Sequence, residues 1–296
     1  MCENVAGDHR DYKFPVRTTK MMPKDVYLDI KGLRLHYLDW GKSGKQPMLL
    51  LHGFMAHAHA WDEFASGFRD RYHIIALDQR GHGESHWSED EAYSLDDHFS
   101  DIANLIEVLE LKDLILVGHS MGGRNALFYT ACHPQNVERL ILVDARPADS
   151  VKASARLKHD LLHLPLQAGS LDEIAQAIRT LYPSLSIDIC HDLASHGYKE
   201  EVLGGLFVPK YDARMSFHSD QMGCITEDLW PFMKNVTCPT LIVRGEESPF
   251  LSREDAQKMS RIIPKAECVE IAKATHMPVQ ENPVVFKRVI SDFLNK

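Results

Sequence analysis

The six cysteines, Cys2, Cys132, Cys190, Cys224, Cys238 and Cys268, include no C-x-x-C pair. A chain of 296 residues has no need of a disulfide framework, so free thiols in a reducing compartment are expected. Positive charge is scarce: Lys and Arg number 33 against 42 Asp and Glu, a net charge of -9. With no basic surplus to neutralise phosphates, nucleic acid is excluded as the main partner. No uninterrupted apolar run is long enough for a bilayer span. The first residues lack the apolar core of a signal peptide, and Glu3, Asp8 and Asp11 argue against a transit peptide. Repeats and low-complexity tracts are absent too. A cytoplasmic protein is the expectation, and nothing in the chain reports on its oligomeric state.

What is present is an alternation of apolar strands and helices. Met48-Leu49-Leu50-Leu51, Ile74-Ile75-Ala76-Leu77, Leu114-Ile115-Leu116-Val117, Leu140-Ile141-Leu142-Val143 and Leu241-Ile242-Val243 are short continuous apolar runs bounded by turn formers. Helical patterns fall between most of them, as from Ser94, where Asp97 completes a capping box. This alternation predicts βαβ units and a parallel sheet covered on both faces. An antiparallel hairpin, Val26–Ile30 with Leu33–Leu38, precedes it. Residues 1–24 carry little pattern and read as an arm. The alternation breaks over residues 147–225, where helical pieces are expected around Leu157–Leu162, Ser170–Leu181 and Lys199–Leu203. That stretch reads as a helical cap inserted into a core of residues 25–146 and 226–296.

The chemistry gathers at Gly118-His119-Ser120-Met121-Gly122-Gly123, which follows an apolar strand and precedes a helix. G-x-S-x-G in that setting presents a serine hydroxyl above the sheet, beside the free N–H groups of a helix N-terminus. The N–H groups of Phe54, in His52-Gly53-Phe54, and of Met121 form a candidate oxyanion hole, each donor worth on the order of 3 kcal/mol. Among 17 histidines, His276 is the candidate base, because it follows the last strand at the ligand-binding edge of the sheet. For the orienting acid one looks first a few residues past Val243-Arg244-Gly245. Ser248 stands there, and Glu247 is one residue early. Asp144, at the end of the preceding sheet strand, is favoured, with Ser248 a hydroxyl near the histidine and Glu247 the next candidate.

Taken together, His52-Gly53-Phe54, Asp78-Gln79-Arg80-Gly81-His82-Gly83-Glu84-Ser85, the Ser120 turn and Thr275-His276 resemble the α/β-hydrolase fold superfamily, in its branch of small esterase- and thioesterase-like enzymes. The resemblance spans about residues 26–295. It implies an eight-stranded, mostly parallel sheet with a helical cap between strands 6 and 7. Some members carry the acid after strand 6 and a serine in the later loop, which supports Asp144. Epoxide hydrolases and haloalkane dehalogenases of this superfamily use Asp as nucleophile, so Ser120 speaks against their chemistry. The implied activity is hydrolysis of a small-molecule ester or thioester without a cofactor.

One further run, His57-Ala58-His59-Ala60-Trp61-Asp62, is similar to the H-x-H-x-D-H signature of metallo-lactonases. The Asp comes one residue late and Glu63 replaces the final His, so loop histidines and no metal are expected.

Overall fold

The computed structural model describes residues 2–5, 22–41, 46–201, 204–217 and 227–296. The strands are β1 (Glu3–Val5), β2 (Lys24–Ile30), β3 (Leu33–Asp39), β4 (Gln46–Leu51), β5 (Tyr72–Asp78), β6 (Leu114–His119), β7 (Val137–Val143), β8 (Tyr198–Glu200), β9 (Phe207–Pro209), β10 (Thr240–Gly245) and β11 (Ala266–Ile271). Nine of them form one sheet in the order β1-β11-β10-β7-β6-β4-β5-β3-β2. Pairing is parallel except at β2–β3 and β3–β5.

Alternation along the central strands feeds two cores. Leu49, Leu51, Leu114 and Leu116 point to one face, under α2 (Leu95–Val108), α3 (Met121–Cys132) and, further along the sheet, α8 (Arg253–Ile262). Met48, Leu50, Ile115 and Val117 point to the other, under α1 (Asp62–Phe68) and α10 (Pro283–Leu294). A strand buried on both faces has to be apolar throughout, which is why these runs show no polar alternation. The Ser94 capping box at α2 is formed as its spacing predicts.

Between β7 and β10 lie α4 (Val151–His163), α5 (Leu171–Leu181), α6 (Ile187–Gly197), the β8–β9 ribbon and α7 (Arg214–Phe217). A short α9 (Pro278–Glu281) precedes α10. Each of α4, α5 and α6 starts at a serine, Ser150, Ser170 or Ser186, whose hydroxyl accepts an N–H of the first turn. The helix expected at Lys199–Leu203 is corrected: residues 198–200 are extended in β8, and Leu203 lies outside the described residues. Helix α6 escapes the apolar-periodicity reading because its buried stripe is short, Cys190 and Ala194 alone, amid charged and histidine neighbours.

Two corrections concern the start of the chain. Residues 3–5 are a ninth strand, parallel to β11, where an unpatterned arm is expected, and residues 6–21 lie outside the described set. Cys2 and Cys268 form a disulfide, whereas Cys132, Cys190 and Cys238 are free thiols. Cys224 lies outside the described residues. The bridge joins the end strand to its neighbour across 266 positions, a separation over which spacing motifs carry no signal. It removes the support that the cysteines lend to a reducing compartment. No helix among the described residues is long and apolar enough to cross a membrane.

Candidate active site

Ser120 occupies the single residue between β6 and α3, with φ 51° and ψ -114°. This left-handed backbone costs on the order of 1–3 kcal/mol and turns the chain sharply enough to hold the serine above the sheet edge. The turn closes only with small neighbours. A Cβ on Gly122 would sit 2.4 Å from the Leu51 carbonyl oxygen, and one on Gly118 would sit 2.3 Å from that of Gly122. Met121 is the first helical residue, so its N–H has no acceptor within α3.

The turn after β4 is held from three sides. Gln79 Nε2 donates to the His52 carbonyl at 2.7 Å, and the Gly122 N–H donates to the same oxygen at 3.1 Å. Asn125 Nδ2 donates to Gln79 Oε1 at 2.7 Å, tying this bridge to α3. The Gln79 N–H donates to His52 Nε2 at 3.0 Å, so the imidazole carries its proton on Nδ1 and donates it to the Gly53 carbonyl. Gly53 approaches so closely that a Cβ there would meet Ser120 Cβ at 3.3 Å. Phe54 therefore follows a turn locked beside the serine. Sequence reading flags Asp78–Ser85 and His52-Gly53 separately. It misses that Gln79 and Asn125 join them, because a side-chain amide has no periodicity to reveal it.

His276 Nδ1 lies 2.7 Å from Asp144 Oδ2. Ser248 Oγ donates to the same carboxylate oxygen at 2.5 Å, and the Gly245 N–H donates to Oδ1 at 3.2 Å. Glu247 is exposed, and only its backbone joins this loop, through an N–H to the Ala274 carbonyl. The favoured acid thus meets the histidine and the next candidate does not. His119, one residue before Ser120, donates from Nε2 to the His276 carbonyl at 2.7 Å, and the two rings lie 4.7 Å apart. Phe250 packs on the other side of His276, with centroids 3.9 Å apart. Neither ring contact is legible in the sequence.

Burial governs the electrostatics. It lowers His276 to about 3, so the imidazole is neutral near pH 7. It raises Asp144 to about 7, opposed chiefly by the Ser248 hydroxyl. Desolvation disfavours charge on either partner, while the donors on Asp144 favour its carboxylate form. The arrangement can accept a proton on the imidazole and stabilise the resulting cation.

Apolar residues of the insertion differ in burial. Leu162 is exposed, whereas Tyr211 is buried with its ring 6.1 Å from that of Phe54. Arg124, on α3, donates to the carbonyls of Arg146, Pro147 and Glu227 at 3.3, 2.9 and 2.8 Å, bracketing the two ends of the insertion.

Known proteins share this design. Residues 48–289 match the model of the Alpha/beta hydrolase family. A 2-(acetamidomethylene)succinate hydrolase from Mesorhizobium japonicum is 33% identical over 253 residues, 84% of this chain and 87% of that protein. Epoxide hydrolase 4 of Mus musculus is 28% identical over 296 residues, 91% of this chain and 79% of its own. The crystal structure of E-2-(acetamidomethylene)succinate hydrolase superposes with a TM-score of 0.80 at 28% identity, covering 93% of this chain and 100% of that one. On the match over residues 48–289 and the fold that carries it, this chain belongs to the alpha/beta hydrolase family.

Proposed function

We propose that this hydrolase cleaves a carboxylic ester or thioester through an acyl-enzyme. The observation that carries the proposal is the His276–Asp144–Ser248 chain of hydrogen bonds beside a serine held at φ 51° on a helix N-terminus. Ser120 Oγ attacks the carbonyl carbon while His276 Nε2 takes its proton. Asp144 holds the imidazole through Nδ1 and stabilises the imidazolium. The N–H groups of Phe54 and Met121 receive the oxyanion. The tetrahedral intermediate collapses, and His276 protonates the departing alcohol or thiol. Water, deprotonated by the same histidine, then attacks the acyl-enzyme; collapse releases the acid and restores Ser120.

A fluorophosphonate probe and a panel of p-nitrophenyl esters of graded acyl length test the reading. Wild type is expected to label at Ser120 and turn over esters. Ser120→Ala should lose both, with turnover down roughly a thousandfold or more and folding retained. Full ester turnover in that variant contradicts the proposal. Asp144→Asn should cost far more than Glu247→Gln, and the reverse order reassigns the acid.

The same scaffold could instead serve carbon–carbon bond hydrolysis, a lactonase, or a cofactor-free lyase or oxygenase. Labelling without ester turnover would favour these, and 2-(acetamidomethylene)succinate, named for the relative from Mesorhizobium japonicum, belongs in the same panel. Tight ligand binding with neither labelling nor turnover would favour a non-catalytic receptor.

A further inference from the structure

Two histidines and an aspartate, away from the Ser120–His276 arrangement, meet where the cap touches the core. His59 lies in the 3-10 turn Ala58–Trp61, and Asp62 opens α1. His59 Nδ1 is 3.0 Å from Asp62 Oδ2. His196 reaches them from the last turn of α6, its ring stacked on that of His59 with centroids 3.7 Å apart. One ligand atom from each of the three lies within 4.8 Å of the others.

A tetrahedral zinc ion with bonds of about 2.0–2.2 Å sets its ligand atoms roughly 3.3–3.5 Å apart. The His59–Asp62 pair already stands near that spacing. His196 has to turn out of the stack to aim a lone pair at the same point. It is partly exposed at a helix end, so the rotation is open to it. One observation points to a cation. Asp62 Oδ1 is buried with no hydrogen-bond partner among the described residues, although a buried carboxylate oxygen requires a donor or an ion. Nearby, His57 is buried, with its ring 6.3 Å from that of His59 and 5.9 Å from that of His196. The Leu193 carbonyl accepts from its Nε2 at 3.2 Å, and His57 stays outside the three-residue group.

We propose that His59, Asp62 and His196 form a Zn2+ site that fastens cap helix α6 to the segment following Phe54. Two imidazoles and one carboxylate are a zinc donor set, and partial exposure leaves the fourth position to water. The segment from Phe54 to His59 is short, so the ion ties the cap to the loop that carries a proposed oxyanion donor. It takes no part in bond cleavage. The site stands on its own geometry and does not require the ester reading.

The test is titration calorimetry of chelator-treated, tag-free protein with ZnCl2, alongside thermal melts. Wild type is expected to bind one equivalent with a Kd on the order of 10 µM or tighter and to melt a few degrees higher with zinc. His196→Ala and, from the other element, His59→Ala should each weaken binding at least about tenfold and remove the zinc-dependent rise. His191→Ala, on α6 but outside the cluster, should keep both. Absence of stoichiometric binding, or undiminished binding in both His196→Ala and His59→Ala, overturns the proposal. Loss of ester activity in Ser120→Ala leaves it untouched.

Discussion

Ser248 stands where the sequence has a hydroxyl in place of the expected carboxylate, and its contacts explain the exchange. Its Oγ donates to Asp144 and accepts the N–H groups of Phe250 and Leu251, both at 3.1 Å. One atom thus shapes the loop and tunes the acid. Ser248→Ala should strand two buried N–H groups and cost about 1–3 kcal/mol of stability. It also removes a donor that favours the Asp144 carboxylate, so the Asp144 pKa rises further. If Asp144 must be ionised to hold the imidazole, the acid limb of the kcat/KM profile shifts to higher pH. An unshifted limb would argue that Ser248 serves the loop alone.

The relation between helix α3 and the cap is set by Arg124. Its guanidinium is buried, and burial lowers it to about 10, with Glu227 3.6 Å away partly offsetting the cost. Three carbonyls at the ends of the insertion depend on it, while α3 itself starts directly after Ser120. Arg124→Met keeps the stem and removes the donors. Global stability should fall by about 2–4 kcal/mol, and limited proteolysis should cut within the cap before the core. Simultaneous loss of cap and core would show that the two unfold as one unit. The reach of Arg124 was not legible in advance, since its partners are backbone oxygens 22 to 103 positions away. Cap helix boundaries were legible only where a serine cap and an apolar face coincided, as at Ser170–Leu181.

At the scale of the molecule, the buried histidines govern acid stability. His52, His57, His82, His98, His119 and His276 are all lowered by burial, with His57, His82, His119 and His276 at about 3. In the unfolded chain each titrates near 6.5. Below that pH the unfolded state binds more protons, so the folded state loses stability as pH falls from about 6.5 towards the folded pKa values. Each such histidine contributes up to about 1.4 kcal/mol per pH unit. His36 has the opposite sign: burial works against its charge, but its 2.7 Å contact with Asp78 raises it overall. Its contribution is fully present below about 6.5 and is lost as pH rises through the raised value. His196 is lowered too, while Asp144, raised to about 7, takes up its proton in the folded state and works with His36 in the opposite sense. Seven groups against two predict that the urea midpoint drops between pH 7 and pH 5. A flat midpoint over that range would contradict the burial of these side chains.

Much of the fold follows from pattern alone. Strands covered on both faces must be apolar throughout, and helices must present one apolar stripe, so the βαβ succession and the place of the Ser120 turn can be read locally. The candidate base is legible too, because chain order puts His276 after the last strand. What pairs across the chain had to await the tertiary structure. Asp144, and not Glu247, reaches His276 because the sheet sets β7 beside β10 and brings Asp144 to Ser248 and His276, a matter of distance. The Cys2–Cys268 bridge, the ninth strand and the His59–Asp62–His196 cluster join residues far apart in sequence. Such contacts leave no local trace, because they are made by packing rather than by periodicity.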